Sequence, residues 1–134
     1  MKVLVDTSVW SLALRRRAPA HAAVGELRRL VAHGRAAIVG PVRQELLSGI
    51  RDRAVFERLR DHLRAFPDEP ITAVDYDPAA DCFNLCRTTG IRGSNTDFLL
   101  CAVAERYRYP ILTTDDHFVK FSRVLPLRLH ALQA

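Results

Sequence analysis

The chain has 134 residues, enough for one hydrophobic core, and its 49% hydrophobic and 26% charged residues are those of a folded globular protein rather than a disordered one. No apolar run approaches the roughly 18 to 20 residues that a membrane-spanning helix needs, and Met1-Lys2 leads straight into a strand pattern rather than a signal-peptide core. A single cytoplasmic domain over residues 1–134 is therefore expected. The net charge of +5 comes almost wholly from arginine, Lys2 and Lys120 being the only lysines among 20 basic residues, and it favours an anionic partner without naming one.

In chain order, Lys2 to Val5 is a short apolar run ending at Asp6, after which Val9, Leu12 and Ala13 recur at helical spacing. Arg15-Arg16-Arg17 and Pro19 interrupt that helix, and Val24, Leu27, Leu30 and Val31 predict a second one ending near His33-Gly34. Ala36 to Val39 is a strand candidate, followed by Gly40-Pro41, where proline suits a helix's first turn, and by Glu45 to Ile50. The spacing of Val55, Phe56, Leu59, Leu63 and Phe66, with arginines between them, predicts an amphipathic helix with a basic outer face.

Ile71 to Val74 is a third strand candidate, and Pro78 to Thr89 a helix before the Gly90-Ile91-Arg92-Gly93 loop. Ser94 to Asp97 opens an apolar helix through Ala104, Pro110 to Thr113 is a buried strand followed at once by Asp115-Asp116, and Val124 to Leu129 is weakly strand-like. Strands alternating with helices and no internal repeat predict an α/β domain with a mostly parallel sheet covered on both faces. Cys82, Cys86 and Cys101 are odd in number and lie in helical segments, so buried free thiols are expected rather than a disulfide framework. No neighbouring His or Cys completes a zinc set.

Acidic residues recur where strands end and the following helices begin: Asp6, Glu45, Asp97 and Asp115. Open parallel α/β sheets bind ligands at that end. Each has a structural alternative. Asp6 is placed to cap the first helix, Ser94-x-x-Asp97 has the form of a capping box, Asp115-Asp116 fits a turn, and Glu45 fits a solvated surface. Jointly, crowded carboxylates repel one another and call for a divalent cation, and oxygen ligands suit magnesium or manganese. None of the five histidines stands in a recognisable catalytic arrangement.

Four stretches, "VLVDTSVW" at 3–10, "PVRQELLSG" at 41–49, "NTDFLLCAVA" at 95–104 and "ILTTDDHF" at 111–118, resemble the successive acidic motifs of PIN domains, and most closely those of the VapC toxins of VapBC toxin–antitoxin systems. The resemblance spans nearly the whole chain and implies a three-layer α/β/α fold around a mostly parallel sheet. It implies an endoribonuclease dependent on Mg2+, or Mn2+, held by Asp6, Glu45, Asp97 and Asp115. Asp116, beside the fourth acid, is a further ligand or a turn residue. Thr7, Ser8 and Thr113 look like hydroxyls that orient a carboxylate or a water, and Asn95 is similarly placed or merely caps. RNA as substrate, a VapB-like antitoxin and a homodimer follow as partners. Arg15, Arg16, Arg17, Arg43 and Arg92 are candidates to hold the RNA backbone, and Trp10 and Leu14, with the 53–66 helix, either offer apolar surface for protein contacts or belong to the core.

A haloacid-dehalogenase-like phosphatase would want a second aspartate where Ser8 stands, and a receiver-type domain a lysine in a strand context that Lys120 lacks. The remaining alternatives are a PIN nuclease that is not a toxin and a silent PIN module that only binds RNA or antitoxin.

Overall fold

The computed structural model describes residues 1–15 and 20–132. Its elements run β1 (Val3–Val5), α1 (Thr7–Ala13), α2 (Ala22–Ala32), β2 (Ala36–Ala37), α3 (Gly40–Leu47), α4 (Arg53–Leu63), α5 (Ala73–Thr88), α6 (Asn95–Tyr107), β3 (Ile111–Leu112) and α7 (His117–Ser122). The strands form one parallel sheet in the order β2-β1-β3, with Val3 opposite Ala36 and Val5 opposite Leu112. Single parallel bridges, Ile38 to Asp68 and Ile111 to Leu129, widen it at each edge.

Successive side chains of a strand point to opposite faces. Val3, Leu4 and Val5 are all fully buried, so both faces of the central strand are covered, as parallel sheets require. β1 connects to one neighbour and the chain then crosses back to place β3 on its other side. The β1/β3 boundary is thus the point where strand order switches, the place where such sheets bind ligands. One continuous core joins β1, β3 and the inner faces of α1, α2 and α6.

Two predicted elements differ. No strand forms at Ile71 to Val74: the chain meets the sheet edge earlier, at Asp68, and α5 has begun by Ala73. The Asp75 carboxylate is the reason. Its Oδ2 accepts the Thr72 backbone N–H at 2.9 Å, fixing a helix start there, and the helix continues through Pro78, which forgoes one intrahelical amide bond. Among the described residues the tail contributes only Leu129 to the sheet, while Val124 closes the end of α7, a short helix not separated from its loop by sequence pattern.

Three packing features fix the approach of α6. Phe98 lies against Phe121 at 4.8 Å between ring centroids, and Phe121 against Phe118 at 5.2 Å. Gly93 sits so close to this cluster that a Cβ there would come within 2.5 Å of Phe121 Cζ, so only glycine lets the loop pass and deliver Ser94 to Asp97. Farther along, Arg106 grips Asp75 with two hydrogen bonds, 2.5 Å from Nε and 2.9 Å from Nη2, tying the end of α6 to the start of α5.

Asp75 is 1% exposed, and its carboxyl is held below the usual carboxylate range, first by the Arg106 hydrogen bonds, against the opposing effect of burial. A carboxylate with a lowered folded pKa stabilises the protein above its ordinary value of 3.8, and that contribution disappears as pH falls through the folded value. Asp75→Ala is expected to cost about 2–3 kcal/mol in urea unfolding at pH 7, the Arg106 end being partly in water, and to lose most of that difference in strong acid.

Candidate active site

Asp6 follows β1 directly, and its backbone N–H extends the ladder to β3 by donating to the Leu112 carbonyl at 2.9 Å. The register places Thr113 beside it. Asp6 stands at the N-cap position of α1 with extended backbone, yet its side chain makes no capping hydrogen bond. Instead the Ser8 and Thr113 hydroxyls both donate to Oδ2, each at 2.9 Å. The hydroxyls are themselves fixed: Ser8 Oγ accepts the Thr114 N–H at 3.1 Å and Thr113 Oγ1 the Asp115 N–H at 2.9 Å. The Asp6 carboxylate is thus turned mainly to the two hydroxyls rather than to the amides of the α1 N-terminus.

Asp6 is 5% exposed and, among the described residues, has no cationic partner. Burial raises its pKa above the usual value, the Ser8 and Thr113 hydroxyls and the Ser8 and Thr7 amides opposing this only in part. A buried carboxylate in this state lacks a positive charge.

The other acids border the same end of the sheet. Thr7 donates to Glu45 Oε2 at 3.0 Å, drawing α3 onto the start of α1. Asp115 Oδ1 accepts both the backbone N–H of His117 at 2.9 Å and a 2.7 Å contact from its Nδ1. His117, the second residue after it, is thereby a direct partner of the fourth acid. Asp97 does form the capping box: its Oδ2 accepts the Ser94 N–H at 3.0 Å while its own N–H donates to Ser94 Oγ at 3.1 Å. That use leaves Oδ1 without a protein donor among the described residues. One turn later lies Cys101, whose thiol is pushed up first by burial and then by neighbouring negative charge, Asp97 and Asp6 included, so both carboxylates act on the same buried group. A cleft of about 470 Å³ walled by Thr7, Pro41, Gln44, Glu45, Ser48 and Thr96 opens between α1, α3 and α6. Asp116 is exposed at the start of α7 and makes no capping contact.

The donor set is wholly carboxylate oxygen backed by hydroxyls, the chemistry that hard divalent cations take. Among the described residues, no three His, Cys, Asp or Glu side chains stand together closely enough to hold an ion, so Asp6, Glu45, Asp97 and Asp115 surround a common end of the sheet rather than a closed cage. Asp6, buried and lacking a counter-charge, is the observation that fits a cation.

The arginines divide. Arg43 is committed elsewhere: its Nε donates to Asp68 at 2.8 Å and its Nη2 to the Phe66 carbonyl, so it fastens α3 to the turn after α4 and is not free for RNA. Arg15 and Arg92 are exposed, while Arg16 and Arg17 lie outside the described residues. Trp10 is likewise not surface. It is 2% exposed, donates to the Val5 carbonyl at 3.2 Å and packs edge-on to Phe66, leaving Val55 as the exposed large apolar side chain of α4. The three cysteines are free and buried, with the Cys82 thiol pushed up to about 11, first by burial. No described helix is long and apolar enough to cross a membrane.

Residues 3–124 match the PIN domain family. The chain belongs to that family. Its full-length relatives include a VapC ribonuclease of Mycobacterium bovis and ribonuclease VapC11 of Mycobacterium tuberculosis, each 30% identical over 94% of this chain and 96% of the relative. Among solved structures, FitAcB from Neisseria gonorrhoeae superposes with a TM-score of 0.76 at 19% identity, covering 96% of both chains. VapBC2 from Rickettsia felis, bound to a DNA fragment from its promoter, gives 0.78 at 18% identity, covering 97% of this chain and 98% of the other. At those identities the likeness establishes the fold.

A raised folded pKa means that ionised Asp6 destabilises the metal-free protein above that pKa, and that the penalty fades as pH falls through it. Asp6→Asn is therefore expected to melt a few degrees above wild type at pH 7 in EDTA, with the gap narrowing toward pH 4. A variant that melts lower at pH 7 would contradict this reading of the buried charge.

Proposed function

We propose that the protein is a metal-dependent endoribonuclease and the toxin of a toxin–antitoxin pair, using Asp6, Glu45, Asp97 and Asp115 to hold Mg2+ or Mn2+ and hydrolyse RNA phosphodiester bonds. The observation that carries this is the buried, cation-less Asp6 at the strand-order switch, with three further acids bordering the same end of the sheet, in a chain whose full-length relatives are named VapC ribonucleases. A divalent cation there would make a water acidic enough to attack at neutral pH and would offset charge on the phosphate oxygens.

The chain's own residues supply the rest. Ser8 and Thr113 converge on Asp6 Oδ2 and so hold its carboxylate in one orientation, as groups behind a metal ligand do. Thr7 does the same for Glu45, and the capping box fixes Asp97 next to Thr96, which lines the cleft. His117 sits on Asp115, where its imidazole can hold that carboxylate or pass a proton at Nδ1. Asp116, exposed one residue on, is the fifth acid that could reach an ion. Exposed Arg15 and Arg92 are the described arginines left to hold the RNA backbone, a contact that positions without specifying sequence.

As to partners, the solved complexes of similar fold include toxin–antitoxin assemblies, which supports a VapB-like antitoxin for this chain. The outer face of α4, where Val55 is 40% exposed, is the surface offered to it. A homodimer and a cytoplasmic location complete the reading.

Purified protein is expected to cut structured RNA in Mg2+ or Mn2+ and to stop in EDTA. Asp6→Asn and Asp97→Asn should fall to background, and Thr113→Val should lose about 10- to 100-fold. Cleavage that persists in EDTA or in both acid variants would defeat the proposal.

A further inference from the structure

The cleft does not end at the acids. The space bordered by Glu45 shares Pro41, Gln44 and Thr96 with a second hollow of about 470 Å³, which runs on to Tyr76 and the small side chains Ala79 and Ala80 of α5 and to Asn95 of α6. No charged side chain lines this second hollow. A phosphate would find no cation in it. A flat, uncharged ring with donors and acceptors on its edge would find an aromatic face, an alanine floor and two primary amides.

Tyr76 is 57% exposed and, among the described residues, stacks on no other ring. The other exposed apolar residues of α5, Val74 and Leu85, are eleven positions apart and share one stripe. Tyr76 is two positions from Val74, about 200° around the helix, so a protein partner seated on that stripe would leave the ring free. Continuity with the acidic site and a neutral amide edge favour one occupant. Resting on the ribonuclease reading, we propose that Tyr76 is the stacking platform for an unpaired nucleobase adjoining the scissile phosphate, with Gln44 and Asn95 reading the base edge. Aromatic stacking is how proteins hold single-stranded RNA, and it explains how a site of carboxylates can retain a polyanion beyond its contacts to phosphate.

The test measures binding of fluorescein-labelled single-stranded hexaribonucleotides by anisotropy in EDTA, which separates binding from hydrolysis, using the full chain. Tyr76→Ala should weaken binding roughly 10- to 100-fold, and Tyr76→Phe, which keeps the ring, should bind within about twofold of wild type. The alanine penalty should vanish on RNA carrying an abasic nucleotide at one position. Equal binding by Tyr76→Ala, an equal loss in Tyr76→Phe, or a penalty that survives every abasic substitution would overturn the proposal. So would a change in sedimentation mass of Tyr76→Ala, which would make the ring a contact between copies of the chain. Failure of the ribonuclease reading would show separately, as wild-type protein that does not cleave in Mg2+ or Mn2+ while ring-dependent binding in EDTA persists.

Discussion

The site depends on one carboxylate held where water barely reaches it. Asp6 is carried there by β1, whose three residues are buried on both faces, and its backbone N–H is consumed by the ladder to β3, so the side chain cannot retreat to solvent. Two hydroxyls saturate Oδ2 and are in turn fixed by the Thr114 and Asp115 amides. The fold thus pins a negative charge in a desolvated position with no basic neighbour among the described residues. Such an arrangement costs stability unless a cation completes it. The same pinning orders the surroundings, because Thr7 and Ser8 follow Asp6 directly and Thr113 lies opposite it in the register.

Much of this was legible in the chain itself. A run of Val-Leu-Val ending in Asp, and a later Ile-Leu ending in Thr-Thr-Asp, fixed which residues would lie at strand ends, and parallel pairing brought them side by side. Side-chain choices between equally good local roles were not legible. Asp6 and Asp97 both stand at helix starts, yet only Asp97 joins a capping box, because Thr113, just past a strand over 100 residues away, holds Asp6 instead. Ile71 to Val74 has the β-branched look of a strand, but Asp75 reaches back to the Thr72 amide and the helix wins. Arg43 looked free for RNA until Asp68 was folded against it, and Trp10 looked like surface until Phe66 closed over it. In each case the deciding contact is distant in sequence or belongs to a loop without periodicity.

A basic chain with an acidic centre solves two problems at once. On the proposed reading, excess arginine would draw a polyanion toward the molecule from a distance, while the carboxylates would keep the centre from binding phosphate tightly without a cation. Membership of the PIN family and full-length VapC relatives suit a nuclease, and on the proposal above the neutral hollow beyond Gln44 would add a way of holding bases that neither charge set provides.

The central claim is that Asp6 and its neighbours form a cation site. Titration of the metal-free protein with Mn2+, followed by electron paramagnetic resonance of the free ion, tests it without RNA or an antitoxin. The account predicts saturable binding in wild type that is lost in Asp6→Asn and strongly weakened in Asp97→Asn. Undiminished Mn2+ binding by Asp6→Asn, or none by the wild type, would contradict it.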